Sequence, residues 1–346
     1  MAGIGNSYYD LADLHKDKGP GDVINQLTEL NPMLKDASAV MCNNGTQHQH
    51  SIVTGLPEVA WGKLYKGTPQ SKSGKQQVSD STGFVEGIST IDSRVLELAG
   101  DKRNNVRFTE AQTFLESMAQ EVQEKMIYGN DSTNASEFMG LAPRFNDKSA
   151  VNGRQIIDAG GTGSDNQSIW IVTWGDRFCH TIYPDGTTAG VSREDKGEQR
   201  VLDADGNPYY AFEEKFKQHI GLAVKDWRYI TRVANIDTSN LLADPSDIDG
   251  SGNDLYHFLR KATYQNQGRR VKQSNGQDGF YAGGKVCMYC TTDVLEALDA
   301  LGTNSGGSDN FTRLTPMEIQ GEEVQTYRGI IIRETDALLN TEAQVT

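Results

Sequence analysis

Nothing in the chain is long and apolar enough to cross a bilayer as a helix: no run approaches the roughly 20 residues that a span requires. The first residues, MAGIGNSYYDLADLHKDKGP, lack the basic-then-apolar pattern of a secretory signal, so the product is expected to stay in the cytosol where it is made. Cysteine is scarce. Cys42, Cys179, Cys287 and Cys290 are too few and too unevenly spaced for a disulfide framework, and they read as free thiols in the core. Without an export signal, the sequons at Asn44, Asn130, Asn134, Asn166 and Asn310 are chance matches in an Asn/Ser/Thr-rich chain. Positive charge is also in deficit. A net charge of -14 argues against a surface that grips nucleic acid, because such binding uses Lys and Arg to displace condensed counterions. It is compatible with a container, whose acidic walls repel a polyanion and keep free subunits soluble.

Catalytic and metal-binding patterns are absent as well. Cys287 and Cys290 form a CxxC, but no further ligands stand at zinc spacing, and in a strand two positions three apart face opposite sides. His48 and His50 share one side of a strand with no carboxylate or cysteine near in sequence, and read as surface histidines. Cys179-His180 has no thiol-protease signature around it. Asp247-x-Asp249-x-Ser251-Gly252 begins like a calcium loop but has Phe258 where a bidentate Glu is needed. Asp203-x-Asp205-x-Asn207 reaches Glu214 but has Pro208 in place of the loop glycine. Both read as turns. Residues 160–163, GGTG, lack the Lys-Ser/Thr of a phosphate loop. No catalytic residue, metal or cofactor is expected, and a thiol-dependent hydrolase using Cys179 or Cys287 stands only as a rival from another class.

What is present is architecture. At 346 residues and 36% hydrophobic, the chain can bury a good core and divides into two lobes more readily than it forms a single long domain. Apolar residues at Phe108, Ala111, Leu115, Met118, Val122 and Met126 predict one buried stripe on a helix over 109–128, roughly 30 Å long. Thr109 with Gln112 fits a capping box, and Gly129 stands where a left-handed cap is wanted. Behind this helix, residues 48–98 read as a long antiparallel hairpin. Its strand-like segments HQHSIVT, EVAWGKLY, QQVSDSTGFVEGI and IDSRVLELA flank the polar tip KGTPQSKSGK. A two-stranded ribbon is marginal in water, so its stability must come from contacts outside the hairpin.

Further on, SIWIVTW, RFCHTIYPDGTTAGV, EQRVLDADGNPYYAF and DWRYITRVANI read as strands, with hairpin turns at Asp185-Gly186 and Asp205-Gly206. Residues 254–265 predict a helix with Leu255, Phe258, Leu259 and Ala262 on one face. The strand GGKVCMYC follows, then a helix DVLEALDAL capped by Thr291 or Thr292 and ended by Gly302, and a terminal strand pair in EEVQTYRGIIIRETDALL. The first residues read as an arm with a short helix near 22–30. Helices interleaved with antiparallel strands indicate an α+β fold.

Charge is unevenly placed along this framework. Lys63, Lys66, Lys72 and Lys75 lie in a stretch with no acid, whereas Asp237, Asp244, Asp247, Asp249 and Asp254 lie in one with no Lys or Arg. Either these are two solvated loops, or they are complementary docking surfaces on neighbouring copies.

The order of elements is arm, Lys-tipped hairpin, long helix with GND and FMGLAPR behind it, β-rich segment, helix, strand, helix and terminal strand pair. It resembles the major capsid proteins of tailed phages with the Hong Kong 97-like fold, nearest to those of short-tailed phages of the epsilon-fifteen type. The resemblance implies an N-terminal arm (1–47), an extended loop with its return strand (48–98) and a peripheral domain with its spine helix (99–165). A β-rich insertion (166–236), an axial domain of mixed sheet and helices (237–327) and a C-terminal strand returning to the core (328–346) complete it. It further implies a shell subunit that self-assembles, as hexamers and pentamers, into an icosahedral head around double-stranded DNA. Scaffolding, portal and decoration proteins would be partners, assembly would take place in the bacterial cytoplasm, and no membrane or cofactor would be involved. A bacterial nanocompartment shell of the same fold is the near alternative. The inter-subunit contact candidates are Lys63, Lys66, Lys72, Lys75, Trp61, Asp244, Asp247, Asp249 and Arg144. No residue matches the acceptor or the promoting carboxylate of a covalent Lys-Asn crosslink, so noncovalent assembly is expected.

Overall fold

The computed structural model describes residues 31–273, 283–303, 314–319 and 322–346. The short helix expected near 22–30, and with it most of the arm, lies outside them. In chain order the elements are α1 (Met33–Asp36), β1 (Ala39–Met41), β2 (Gln47–Gly55), β3 (Gly74–Asp92), α2 (Ser93–Ala99), α3 (Arg103–Tyr128), α4 (Leu141–Arg144) and β4 (Ile156–Asp158). They continue with β5 (Asn166–Trp174), β6 (Cys179–Tyr183), β7 (Val191–Leu202), β8 (Pro208–Val224), β9 (Ile230–Asp237), α5 (Thr238–Ala243), α6 (Leu255–Gln265) and α7 (Arg269–Gln273). The chain ends with β10 (Lys285–Cys290), α8 (Thr292–Thr303), β11 (Leu314–Ile319), β12 (Glu322–Tyr327) and β13 (Ile330–Glu334). The described strands join in one mixed sheet, whose main path runs β11-β12-β13-β10-β5-β6-β8-β3-β2.

The middle of this sheet separates two cores, and strand periodicity assigns the residues to them. Along β5, Ile169 and Ile171 enter one core while Trp170, Val172 and Trp174 enter the other. Along β10, Met288 and Cys290 face the first and Cys287 and Tyr289 the second. All of β5 is buried, which is why SIWIVTW is a continuous apolar run rather than an alternating one. The first core is closed by α5, α6 and α8 through Leu241, Leu255, Phe258, Leu259, Val294 and Leu298. The second is closed by the C-terminal half of α3, with Val122, Met126 and Ile127, and by Leu141 and Phe145. In α6 the predicted face is the buried one, and Asp254 caps it by accepting from the His257 amide.

The long helix starts six residues earlier than Thr109 and, at 26 residues, is about 39 Å long. Thr109 is interior, its hydroxyl donating to the Asn105 carbonyl rather than capping anything. Only part of the expected stripe is buried. Ala111, Met118, Val122 and Met126 are inside, whereas Phe108 and Leu115 are 59% and 40% exposed. The cause is a change of partner along the helix. Its first half lies on the β3/β8 ribbon through Ala111, Phe114 and Met118 against Phe216, and its second half turns a different face to the second core. Arg107 ties the first half down by donating to Glu214 (2.7 Å) and Asp195 (2.6 Å). In the second half, the buried Gln123 accepts from the Met33 amide and donates to Thr335, linking the segments around α1 and after β13 to the helix.

Gly129 is not left-handed; its φ is -53°. Glycine is required there for close approach, since a Cβ would stand 2.5 Å from the Lys125 carbonyl oxygen and 2.6 Å from that of Phe138. Four other expectations are corrected. EVAWGKLY is not a strand but part of an open loop over 56–73, and IDSRVLELA ends as helix α2, capped by Asp92. Asp185-Gly186 makes a turn with Gly186 at φ 81°, but β6 and β7 do not pair across it; β7 leaves to pair with β8. Gly302 lies inside α8, which runs on to Thr303. Asp205-Gly206 does close the β7/β8 hairpin, and Arg328 and Gly329, both at positive φ, turn β12 into β13.

Candidate assembly surface

Strand β3 changes partner at one point in its length: residues 82–92 pair with β8 inside the body, and residues 74–81 pair with β2 outside it. Beyond that handover the β2/β3 hairpin projects, and the loop at its end holds Leu56, Val59, Trp61, Leu64 and Tyr65 at 87% to 107% exposure. Among the described residues nothing covers them. The loop is held internally by a Lys66 amide to Lys63 carbonyl bond and by Ser71 donating to the Glu58 carbonyl. Lys63, Lys66 and Lys72 are exposed on this loop, and Lys75 is exposed on β3 opposite Val53. Exposed Phe84 and Ile88 extend the apolar surface down one side of β3, with the Lys217 ammonium 5.0 Å from the Phe84 ring centre. Leu56 and Tyr65, with these two, were not picked out from the sequence. Apolar alternation signals a strand equally well when its outward residues await another molecule.

Asp244, Asp247 and Asp249 lie together in the loop between α5 and α6. Asp244 accepts from the amide and hydroxyl of Ser246, Asp247 from the Gly252 amide, and Asp249 from the Ser251 amide and the Asn253 side chain. They organise turns, as the calcium-like spacing was expected to do. The Ser246 hydroxyl bond holds the Asp244 carboxyl below the usual range, and the Asn253 bond does the same for Asp249. Asp237 and Asp254 cap α5 and α6. Arg144 differs from the other candidates: its guanidinium is taken up within its own chain, by Asp80 at 2.8 Å and by the carbonyls of Met139, Gly140 and Leu222. It braces the base of the hairpin instead of offering a free contact.

That base holds a group of three histidines, two of which, His48 and His50, were expected at the surface. His48 is 6% exposed and His180 on β6 is fully buried. Their rings meet edge to face at 5.4 Å, His50 is 6.5 Å from His48, and Asp80 approaches His50 Nδ1 at 3.8 Å. The histidines converge because the fold brings the ring of His48 on β2 against that of His180 on β6, two strands separated by β8 and β3 along the sheet, a proximity no local spacing encodes.

All four cysteines are buried. Burial pushes the Cys287 thiol up to about 12 and the Cys179 and Cys290 thiols higher still. Burial therefore disfavours the thiolate form that a nucleophile needs at Cys179, Cys287 and Cys290. A thiol reagent is expected to label essentially no cysteine in the native protein and all four after denaturation. Rapid labelling of Cys179 or Cys287 in the native state would revive the hydrolase reading.

The two-core sheet, the spine-like helix and the uncovered hairpin define a class: a structural subunit that completes its surface against other copies. The family described as major capsid protein GP7 matches residues 15–346, and the chain belongs to that family. Its fold is similar to the solved structure of bacteriophage Epsilon15, with 30% identity over 100% of both chains and a TM-score of 0.73. More distant matches include the SrpI encapsulin of Synechococcus elongatus PCC 7942, at 8% identity, 65% of this chain, 94% of that one and a TM-score of 0.46. The capsid of Myoviridae phage XM1 matches at 10% identity, 68% and 99% coverage and a TM-score of 0.42. No curated protein matches. The fold is Hong Kong 97-like, and the protein is a structural shell protein of an icosahedral phage head, a component of the virion built from many capsid subunits.

Proposed function

We propose that the hairpin end is the principal assembly contact, seated on a neighbouring subunit with its apolar residues buried and its lysines facing acidic surface. The observation that carries this is the near-complete exposure of Leu56, Val59, Trp61, Leu64 and Tyr65. Covering a side chain of this size contributes about 1.5–3 kcal/mol, which offsets the entropy of ordering the loop. Asp244, Asp247 and Asp249 of the neighbour supply the matching charge, because carboxylates that hold turns are fixed in place. On this reading the 48–98 loop, the 99–165 peripheral part and the 237–327 axial part form hexamers and pentamers around double-stranded DNA. Assembly takes place in the host cytoplasm, scaffolding, portal and decoration proteins are further partners, and no catalytic step is involved. The acidic balance of the chain supports a wall that does not adhere to the packaged polyanion.

Negative-stain imaging of the expressed protein is expected to show closed shells, tubes or curved sheets. A protein that remains monomeric at high concentration would overturn the reading. DNA rather than an enzyme inside particles from infected cells separates a phage head from a nanocompartment.

A further inference from the structure

The base of the hairpin, where β3 passes out of the body and Arg144 braces Asp80, also holds the histidine group. His48 and His50 come from β2 and His180 from β6, and the His48 ring meets both of the others. Both ring nitrogens of His50 and of His180, and Nδ1 of His48, are buried without a hydrogen-bond partner. Such rings are tolerated while neutral; a charge on His180 would find no hydrogen-bond partner, and the carboxylate nearest His50, Asp80 at 3.8 Å, is already paired with Arg144.

The charged and titratable groups around them come from every neighbouring element. Asp80 on β3 is held by Arg144 at the end of α4. Lys225, just past β8, bonds the carbonyl and the carboxylate of Asp176 in the turn before β6. The Cys179 thiol beside His180 is pushed up by burial and stays neutral. Burial holds all three rings below the usual imidazole range, His180 at about 3. Lys225 lowers all three further, while Asp80 opposes the shift at His48 and His50, and Asp176 opposes it at His48 and His180.

We propose that His48, His50 and His180 form an acid-released latch: with the rings neutral, the base of the hairpin is held to β6, and proton uptake frees the hairpin from the body. Because the closed rings titrate below their ordinary value near 6.5, the closed form is fully favoured above that value and loses ground as pH falls beneath it. Each ring released to solvent raises the opening constant by up to about tenfold per pH unit. The latch acts on the angle and mobility of the hairpin and does not depend on which surface of a neighbour receives its tip.

Hydrogen exchange of the full-length protein, expressed as protection factors to remove the pH dependence of intrinsic exchange, tests it from about pH 7.5 to about pH 5. Protection over residues 47–52 and 78–82 is expected to fall about 100-fold or more, with β5 and β10 unchanged. In the H48Q/H50Q/H180Q triple variant, which removes all three rings, the profile at the hairpin base is expected to be flat with pH. Protection that persists to pH 5, that falls together with β5 and β10, or that falls equally in the variant would overturn the latch. If the variant does not fold, ring-proton titration of the native protein decides. Rings that stay uncharged until the base opens support the latch, and rings that titrate near 6.5 with the base still protected sink it.

Discussion

Replacing Lys63, Lys66, Lys72 and Lys75 by Glu is expected to abolish shell formation while the thermal midpoint of the free subunit stays within a degree or two of the parent. The four ammonium groups are exposed and form no ion pair within the described chain, so the fold loses nothing measurable when they change. Assembly is repeated at every contact of a shell, so a modest penalty per contact is multiplied over the particle. Like charges brought together at an interface cost several kcal/mol each time. The four reversals also deepen a net charge of -14, so the Lys→Gln set is the necessary comparison. It is expected to assemble weakly and to recover with added salt, whereas the Glu set stays dispersed. Sedimentation and negative-stain imaging read the outcome. Normal shells from the Glu variant would remove the hairpin end as a charged contact, leaving its apolar residues to be tested through Trp61→Ala.

Glu342→Ala is expected to give the largest loss of stability among single changes, about 3–5 kcal/mol, because it strands a buried cation. Glu342 receives a hydrogen bond from Arg232 at 2.8 Å and others from Ser168 and the Tyr128 hydroxyl. Arg232 is 3% exposed, with its guanidinium 5.1 Å above the Trp170 ring centre and a second bond to the Phe145 carbonyl. The tail beyond Glu342 is then pinned by Val345, whose amide and carbonyl both pair with the Asn235 side chain. Chemical denaturation should show the loss as a shifted midpoint with the same slope. The double change Arg232→Met with Glu342→Leu should restore most of it, since removing both charges also removes the desolvation they require. A Glu342→Ala protein as stable as the parent would show that the ion pair does not close the second core.

Much of this fold can be read locally. The apolar spacing of Leu255, Phe258, Leu259 and Ala262, the Asp205-Gly206 turn and the continuous run of β5 depend on neighbours in sequence, and the folded chain keeps them as read. CxxC could be rejected as a paired site on strand geometry alone, and Cys287 and Cys290 do enter opposite cores. The misreadings have a common origin. Phe108 and Leu115 fit the helical stripe but are exposed, because the surface beneath the helix changes along its length. EVAWGKLY has strand character but no strand beside it to pair with. Arg144, a contact candidate, acquires Asp80 as a partner within its own chain only through the fold.

The sequence by itself determined the element order, the continuous apolar run of β5, the core placement of the thiols and the family resemblance, since each rests on local composition, periodicity or turn and capping chemistry. The tertiary structure alone decided where β3 passes from the body to the hairpin. It also decided that His48, His50 and His180 meet in a buried group, and that Arg232 and Glu342 pair across 110 residues of chain. Those are contacts between distant segments, set by which sheet edges and helix faces pack together, and no local pattern of residues carries them.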